Sequence, residues 1–536
     1  MPHPLLHPLR RLQPAVRLAL RGVFRAVLPR APRAESPAPA PASVAEAEAA
    51  ARPAHRSLAV WDHHAREPAL AAAPARPSHP GRRDLPRILL LNPPRYHGIP
   101  VVRLYRSEYL FVQGNHIPAV DLGYFAARAK GRAELLLVDA NAEGLDDDAV
   151  LARARAFAPD VIVVKGVRNL LAHDLRVAER YKHARPHTRV VLSCRGCVGA
   201  EPQVFEHFPF VDGIARGEVD AFAEDLADGG PLAGVPGMSV AGATASLTRV
   251  VAELDAVPMP DLEAMPPIWY TGYKFPYYGV PSGYYVITAR GCPYACTFCM
   301  VGGAEDRPFR YRRRSPANVV DELALVVQRF GLRDVYFFDE IFTMPGHTER
   351  ICELILSRGL RLSWTCEGKP DLVRPAMLAL MKRAGCKAIY FGIESGDDRI
   401  LGDVEKGHTS AQAARAIQMT QAAGILAATY VTIGFPNETW ASYLKTIGFL
   451  LDSAPDMVRY GFLTPYPITV LHRQMKEAGL LLGDLDHSDR RISPFHDAPI
   501  ALRTRHLGPW SLRVMDALLK HTFSAELART PLPAVG

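Results

Sequence analysis

The feature that most constrains the fold is a repeated alternation of short apolar strand patterns with amphipathic helix patterns. From residue 283 onward this strand-helix unit occurs six times, and a similar series precedes it from residue 84. Near-continuous runs of Val, Ile and Leu between helices are typical of parallel strands that helices cover on both faces. The chain is therefore predicted to be an α/β protein, with a doubly wound parallel sheet followed by a partial (β/α)6 barrel.

The strand patterns of the two parts have similar lengths and are separated by helical patterns. In the first part they lie at residues 87–92, 134–139, 160–164, 189–194 and 211–216. In the second part they lie at residues 284–288, 334–338, 362–366, 388–394, 427–434 and 457–463. The first helix of the second part has a clear start, because Ser315 can cap it and Pro316 suits its first turn.

Three cysteines, Cys292, Cys296 and Cys299, form a C-x3-C-x2-C motif directly after the first strand of the second part. Three thiolates on one short loop can hold three irons of a cubane cluster and leave the fourth without a protein ligand. An open coordination position is typical of reactive metal sites. The alternatives are a structural zinc loop and three unrelated thiols, but zinc usually needs a fourth Cys or His, and none follows closely. The motif thus predicts a reactive iron-sulfur cluster.

Polar or turn-forming residues also stand at the carboxyl end of each predicted barrel strand, where barrel enzymes place their active sites. Buried carboxylates are costly without partners, which favours ligand contact over core packing. In strand order these residues are Asp339 and Glu340, Glu367 and Lys369, Glu394 and Ser395, Gly434, and Tyr466.

The net charge of +8 belongs to the first 83 residues. This segment has 13 Arg, no Lys and 5 acidic residues, whereas the rest of the chain has 50 basic and 50 acidic residues. The folded parts therefore lack the charge pattern of nucleic-acid-binding proteins, and no nucleic-acid partner is expected. The Ala-, Pro- and Arg-rich segment is predicted to be a disordered basic leader, in which residues 14–28 could form an amphipathic helix suited to an anionic membrane surface.

The predicted division of the chain follows these patterns. Residues 1–83 are the leader, 84–230 the first sheet, 231–282 a linker, 283–470 the partial barrel and 471–536 a C-terminal helical segment. The 8 cysteines suggest no disulfide framework, and no apolar run is long enough to span a membrane. We therefore expect a cytoplasmic protein whose membrane contact, if any, is peripheral and made through the leader.

The cysteine motif, with Phe298 directly before Cys299, resembles the signature of the radical S-adenosylmethionine (SAM) enzymes. In that family the open iron binds the amino and carboxylate groups of SAM, and one electron from the cluster cleaves SAM to a 5'-deoxyadenosyl radical. The resemblance implies a 4Fe-4S cluster on the three cysteines and a reducing partner such as flavodoxin or ferredoxin. The SAM contacts that it implies are Asp339 and Glu340 for the methionine amino group, Glu394 and Ser395 for the ribose, and Gly434 for the adenine.

Pieces of the first part resemble the cobalamin-binding domain that precedes many of these enzymes. They are residues 89–94 (LLLNPP), 121–127 (DLGYFAA), 159–163 (PDVIV) and 215–218 (ARGE), together with the glycine-containing loop 193–199. The resemblance implies a Rossmann-like sheet and cobalamin contacts at Asn92, Asp121, Gly196, Gly217 and Glu218. The alternative is a flavodoxin-like sheet without a cofactor.

Two departures from the family patterns concern cofactor and substrate. The D-x-H-x-x-G motif that supplies a cobalt-binding histidine is missing, and His97 is displaced from the expected spacing, so cobalt is expected to have no histidine ligand. In the segment after strand six, Ile468 replaces the usual Gly of P-Y-P-G-T, which weakens any inference about the substrate-side loop.

The two implied cofactors together suggest methylation of an unactivated carbon in a small-molecule substrate, with lipids and tetrapyrroles among the candidates. One alternative is oxidative cyclisation or rearrangement without net methyl transfer, as in the anaerobic tetrapyrrole cyclases that this chain also resembles. A second is a noncatalytic cobalamin or iron-sulfur sensor. The joint presence of the cysteine motif, Asp339 and Glu394 argues against a degenerate sensor.

Overall fold

A computed structural model of the chain describes residues 85–98, 100–104, 107–110, 117–266, 283–305, 307–482 and 502–527. These residues belong to one compact unit. The predicted leader, including its amphipathic helix, lies outside them. Within these ranges, no helix has the length and apolar character needed to cross a membrane.

The first part contains a mainly parallel sheet and a short hairpin. Its strands are β1 (Arg87–Asn92), β2 (Val101–Leu104), β3 (Ser107–Leu110), β4 (Glu134–Asp139), β5 (Val161–Lys165), β6 (Arg189–Ser193), β7 (Gly213–Ala215) and β8 (Met238–Ser239). Its helices are α1 (Val120–Ala129), α2 (Ala140–Glu143), α3 (Asp147–Phe157), α4 (Leu171–Asp174), α5 (Arg176–Ala184), α6 (Glu201–His207) and α7 (Ala223–Asp228).

The first sheet has the strand order β4-β1-β5-β6-β7-β8, and only β8 runs antiparallel. Alternate side chains of β1 enter two different cores, with Ile88 and Leu90 on one face and Leu89 and Leu91 on the other. This alternation follows from the two-residue period of a strand that is buried on both faces. The predicted doubly wound sheet is confirmed, while hairpin β2-β3 and strand β8, which lies in the predicted linker, were not anticipated.

The second part repeats the strand-helix unit. Its strands are β9 (Tyr284–Val286), β10 (Ala289–Arg290), β11 (Arg312–Arg313), β12 (Asp334–Phe337), β13 (Ser363–Gly368), β14 (Cys386–Glu394), β15 (Leu426–Ile433) and β16 (Met457–Phe462). Its helices are α8 (Pro316–Phe330), α9 (His347–Ser357), α10 (Pro375–Arg383), α11 (Asp398–Asp403), α12 (Ser410–Ala422), α13 (Trp440–Ser453), α14 (Val470–Glu477) and α15 (Pro509–Leu527).

Six parallel strands of this part form an open sheet in the order β16-β15-β14-β13-β12-β9. Helices cover the outer face, where Trp364, Phe391 and residues of α8, α9, α10 and α12 share one core. The helix α8 begins as predicted, because the Ser315 hydroxyl accepts a hydrogen bond from the backbone N–H of Asn318. The predicted partial barrel is thus confirmed, and all six carboxyl ends lie along one rim.

Candidate active site

The three cysteines lie on a loop that is fastened to its surroundings mainly through backbone hydrogen bonds. This cysteine loop comprises residues 291–303. The N–H of Cys292 donates to the carbonyl of Phe309 (3.2 Å), and that of Thr297 donates to the carbonyl of Val404 (3.1 Å). A side chain at Gly303 could not be accommodated, because its Cβ would lie 2.3 Å from the carbonyl oxygen of Cys296. These contacts hold the loop in one tight conformation.

The three thiols are close enough for each to influence the charge of the others. Burial raises the pKa of Cys292 to about 12, and the negative charges of Cys299, Glu340 and Cys296 add to this effect. Burial also raises the pKa of Cys296. A cubane cluster takes each of three thiolates on a different iron. The donor set therefore suits a cluster that can compensate several thiolate charges.

The two predicted carboxylates after β12 have separate roles. Asp339 is almost fully buried and accepts hydrogen bonds from the N–H groups of Thr288 (2.7 Å) and Ala289 (3.1 Å), and from the Thr288 hydroxyl. It thus fixes the backbone between β9 and the cysteine loop. Glu340 is the carboxylate whose charge reaches the Cys292 thiol.

Glu394 forms a buried ion pair that the sequence did not reveal. One carboxylate oxygen accepts from the Lys406 ammonium (2.9 Å), and the other accepts from the Thr432 hydroxyl (2.7 Å). Burial opposes protonation of Lys406, but Glu394 and then Cys296 outweigh it and raise the lysine pKa. The ammonium lies 5.7 Å from the centre of the Phe298 ring. A fixed positive charge therefore stands beside the cysteine loop.

Two further predicted SAM contacts lie at the rim with local partners. The Ser395 hydroxyl accepts from the Asp397 N–H (3.1 Å) and lies 3.2 Å from the Thr446 hydroxyl oxygen, so it helps to form the turn after β14. Gly434 has a φ of 101°, which favours glycine, and its N–H donates to the buried Glu438 carboxyl (2.6 Å). Burial raises the pKa of Glu438 to about 8.

The carboxyl edge of the first sheet carries a buried polar network that includes two predicted cobalamin contacts. The Asn92 amide donates to Asp139 (2.8 Å). The Lys165 ammonium donates to Asp121 (2.6 Å) and to the Ser193 hydroxyl (3.2 Å). In the following loop the carbonyl of Gly196, a third predicted contact, accepts a hydrogen bond from Arg168 (3.2 Å). Strands β1, β4, β5 and β6 therefore bring these polar groups together at the edge where α/β sheets bind ligands.

Gly217 and Glu218, two further predicted cobalamin contacts, both have close contacts with other parts of the protein. A Cβ at Gly217, where φ is 141°, would lie 1.9 Å from the carbonyl oxygen of Arg249. The buried Glu218 carboxylate accepts from Arg312 (2.7 Å) and from Arg290 (3.1 Å). Although burial opposes ionisation, these two arginines lower the pKa of Glu218 to about 2. The geometry gives this side chain a role in linking the two sheets, and its contact with cobalamin stays a prediction.

The loop after β6 and the cysteine loop meet in one apolar cluster. Val198 of the first part packs with Met300, Phe309 and Ile468 of the second, and the Cys292 and Cys299 side chains lie against the same cluster. The Arg195 guanidinium stacks on the Phe309 ring at 3.6 Å from its centre. The candidate ligand edge of the first sheet is therefore in direct contact with the candidate cluster site.

Tyrosines and two charged groups line the inner face of the barrel below the rim. The Tyr336 hydroxyl donates to Glu367, and Arg459 lies 5.5 Å from the Tyr390 ring and 5.8 Å from the Tyr430 ring. A separate cleft of about 510 Å3 lies behind the cysteine loop, lined by Val404, Phe435, Leu471 and neighbouring residues. The inner face, which is continuous with the rim, is the better location for a substrate because catalytic groups converge there.

Comparisons with known proteins agree with this geometry. The family model of the radical SAM superfamily matches residues 286–450. An uncharacterized methyltransferase of Pyrococcus horikoshii is 27% identical over 407 residues, which are 74% of this chain and 84% of that protein. The anaerobic magnesium-protoporphyrin IX monomethyl ester cyclase of Rubrivivax gelatinosus is 28% identical over 392 residues, 69% of this chain and 68% of that protein.

A solved structure shares the whole two-part architecture. The radical SAM methyltransferase TsrM of Kitasatospora setae, determined with cobalamin and a [4Fe-4S] cluster bound, superposes with a TM-score of 0.57. The match covers 80% of this chain and 81% of that chain at 18% identity. At this identity the likeness establishes the fold of both parts and their order along the chain.

Proposed function

The chain belongs to the radical SAM superfamily and has the two-domain fold of its cobalamin-dependent enzymes, and from that premise we propose that it methylates an unactivated carbon of a small-molecule substrate. The observation that carries the proposal is the contact of the loop after β6 with the cysteine loop. A methyl-carrying cofactor on the first sheet would stand next to the site of radical generation. When bound, the cluster supplies one-electron cleavage of SAM, and cobalamin supplies methyl transfer.

Cys292, Cys296 and Cys299 are the proposed cluster ligands, because they are the thiols that the tight loop brings together. Phe298 and Phe435, with ring centres 5.5 Å apart, close the space between the loop and the end of β15. Apolar walls exclude water from this side of the site, which strengthens the electrostatic contacts made inside it.

The charges around the loop match the two ends of a zwitterionic methionine group. Lys406 is proposed to bind the SAM carboxylate, because its ammonium lies 5.7 Å from the centre of the Phe298 ring on the cysteine loop. Glu340, in the segment after β12 at the same rim, is proposed to bind the SAM ammonium. Glu394, held by Lys406 and Thr432, is proposed to accept a ribose hydroxyl. Asp339 and Ser395 would act through the turns that they stabilise, and Gly434 through its backbone. The set differs from the sequence prediction chiefly by the addition of Lys406.

Cobalamin is proposed to bind at the polar edge of the first sheet. Its amide side chains need hydrogen-bonding partners, and Asn92, Asp121, Lys165 and Ser193 present such groups together with the Gly196 turn. Glu218 would act indirectly by holding Arg290, which directly precedes the cysteine loop. Both residues would thereby set the distance between the two cofactor sites.

A second candidate function is oxidative cyclisation without net methyl transfer. The observation in its favour is the relative from Rubrivivax gelatinosus, a cyclase that matches 69% of this chain. The contact between the two cofactor sites favours methylation, because methyl transfer requires both cofactors to reach one substrate carbon. A reducing partner of the flavodoxin or ferredoxin type is part of either proposal. Cytoplasmic location and peripheral membrane contact through the leader stay predictions.

The proposed function is tested with anaerobically purified and reconstituted protein. We expect iron, inorganic sulfide and corrin in the preparation, and with an accepted substrate both deoxyadenosine and S-adenosylhomocysteine as products. Cys292→Ala should abolish deoxyadenosine formation, whereas the matched control Cys352→Ala, a buried cysteine of α9, should retain it. Zinc without sulfide would contradict the cluster, and deoxyadenosine without S-adenosylhomocysteine would favour the cyclase alternative.

A further inference from the structure

Three exposed arginines lie in the segment that follows the cysteine loop along the chain. Pro293, which follows Cys292, is exposed, and its carbonyl accepts a hydrogen bond from the Arg307 guanidinium (3.1 Å). Arg310 and Arg313 follow along the chain and are exposed as well. We call Arg307, Arg310 and Arg313 the arginine surface.

Among the described residues, no carboxylate pairs with the arginine surface. Residues 307–314 read RPFRYRRR, with five arginines and no acidic residue. Arg312 and Arg314 turn inward and form ion pairs with Glu218 and Glu322. Within the described part of the chain, the three outward arginines form no ion pair with a carboxylate, and the nearby Glu305 is paired with Arg473. The surface therefore keeps its positive charge on the solvent side.

The same segment is in direct contact with the cysteine loop through the backbone. The N–H of Cys292 donates to the carbonyl of Phe309, and a Cβ at Gly291 would lie 2.2 Å from the carbonyl oxygen of Arg310. A partner seated on the arginines would therefore sit against the loop that holds the cluster. Because the rate of electron transfer falls steeply with distance, a donor protein docked here would be well placed to reduce a cluster on the cysteine loop.

We propose that the arginine surface docks a small acidic one-electron carrier protein of the flavodoxin or ferredoxin type. The inference rests on the proposed function, which consumes one electron for each SAM cleaved. In the step considered, the reduced carrier loses one electron and the cysteine-bound cluster gains it, and no covalent bond forms or breaks. Opposite charges steer such encounters and orient the partners. A nucleic acid is the less suitable partner, because residues 84–536 carry as many acidic as basic residues, 50 of each.

The test is the affinity of the reconstituted protein for a reduced, strongly acidic flavodoxin. The variant Arg310→Glu/Arg313→Glu should raise the dissociation constant by at least about tenfold at low ionic strength, and added salt should weaken wild-type binding more than variant binding. The dissociation constant of the variant Arg310→Gln/Arg313→Gln should lie between that of the wild type and that of the charge-reversal variant. The matched control Arg361→Glu/Arg383→Glu reverses two exposed arginines away from the cysteine loop and should bind like the wild type.

Titanium(III) citrate, a small chemical reductant, separates docking from chemistry. The charge-reversal variant should cleave SAM with this reductant at the wild-type rate and more slowly with flavodoxin. Equal flavodoxin affinity and equal salt dependence of wild type and variant would overturn the docking proposal alone. Failure of the wild type to cleave SAM with titanium would overturn the proposed function instead. A short DNA duplex that binds the wild type and not the variant, with flavodoxin unaffected, would assign the surface to nucleic acid and also overturn the proposal.

Discussion

At the scale of single residues, Lys406 is the side chain that adds most to the site. Its ammonium is buried, paired with Glu394 and close enough to Cys296 for each to shift the other's pKa. Burying a lysine costs free energy unless an anionic or hydrogen-bonding group pairs with its charge. The carboxylate of Glu394 provides one anionic partner for the ammonium, and an anionic group bound at the cysteine loop would provide a second.

Replacement of this lysine should weaken SAM binding. We expect Lys406→Met to raise the SAM dissociation constant by roughly 10- to 100-fold, because a charge-assisted hydrogen bond contributes about 1.5–3 kcal/mol. Equilibrium dialysis of SAM against the reconstituted protein measures this change. Lys406→Arg should retain part of the affinity, and the exposed Lys387→Met should have no effect. Wild-type affinity of Lys406→Met would remove Lys406 from the site.

Glu438 should make stability depend on pH in an unusual direction. Because burial raises its pKa to about 8, the folded protein keeps a proton that the unfolded chain releases above its ordinary carboxyl pKa. This contribution is complete below the ordinary carboxyl pKa and is lost as pH rises to about 8, with a slope of at most about 1.4 kcal/mol per pH unit.

The variant Glu438→Gln isolates that contribution, because glutamine stays neutral. Between pH 6 and 8 the melting temperature of the wild type should fall relative to that of the variant, and above pH 9 the difference should become constant. Calorimetry at several pH values gives the comparison. Parallel curves for the two proteins would show that Glu438 titrates normally.

At the scale of secondary-structure elements, the connection between β9 and the cysteine loop joins the two parts of the molecule. Arg290 is buried and binds Asp220 through both carboxylate oxygens (2.9 and 3.0 Å) as well as Glu218. The short ladder β10-β11 carries Arg290 and Arg312 side by side toward these carboxylates. The cysteine loop is thereby fastened to the first sheet.

Loss of this cation should destabilise the protein. Arg290→Met leaves Asp220 buried without its cation, which costs about 3–5 kcal/mol for a broken buried pair. Chemical denaturation followed by circular dichroism measures the loss. Adding Asp220→Asn to this variant should restore part of the stability, because it removes the uncompensated charge. A stability equal to that of the exposed control Arg383→Met would contradict the role of the link.

At the scale of the whole molecule, the two-part architecture predicts that the two cofactor activities are separable. The loop after β6 and the cysteine loop share the apolar cluster around Val198 and Phe309, but the residues proposed to bind the two cofactors are different. Protein produced without cobalamin and reconstituted with iron and sulfide should therefore still bind SAM and form deoxyadenosine.

The same cobalamin-free protein should lose methylation by at least about 100-fold, since the methyl carrier then has to come from elsewhere. Mass spectrometry of the product quantifies the loss, and added cobalamin should restore the activity. Methylated product formed at the wild-type rate without corrin would contradict a methyl-carrying role for the first sheet.

The sequence by itself determined the main strands and helices and the rim, but not the hairpin β2-β3 or the strand β8. Strand and helix periodicity depend on neighbours along the chain, so the strands observed, such as Ser363–Gly368, differ from their predictions by only a few residues. The cysteine motif is likewise local. Only the tertiary structure decided which partners distant residues have: Lys406 beside Cys296, Glu218 on Arg290, and Val198 against Phe309. These pairings depend on how loops of separate elements pack, and a one-dimensional pattern carries no record of that packing.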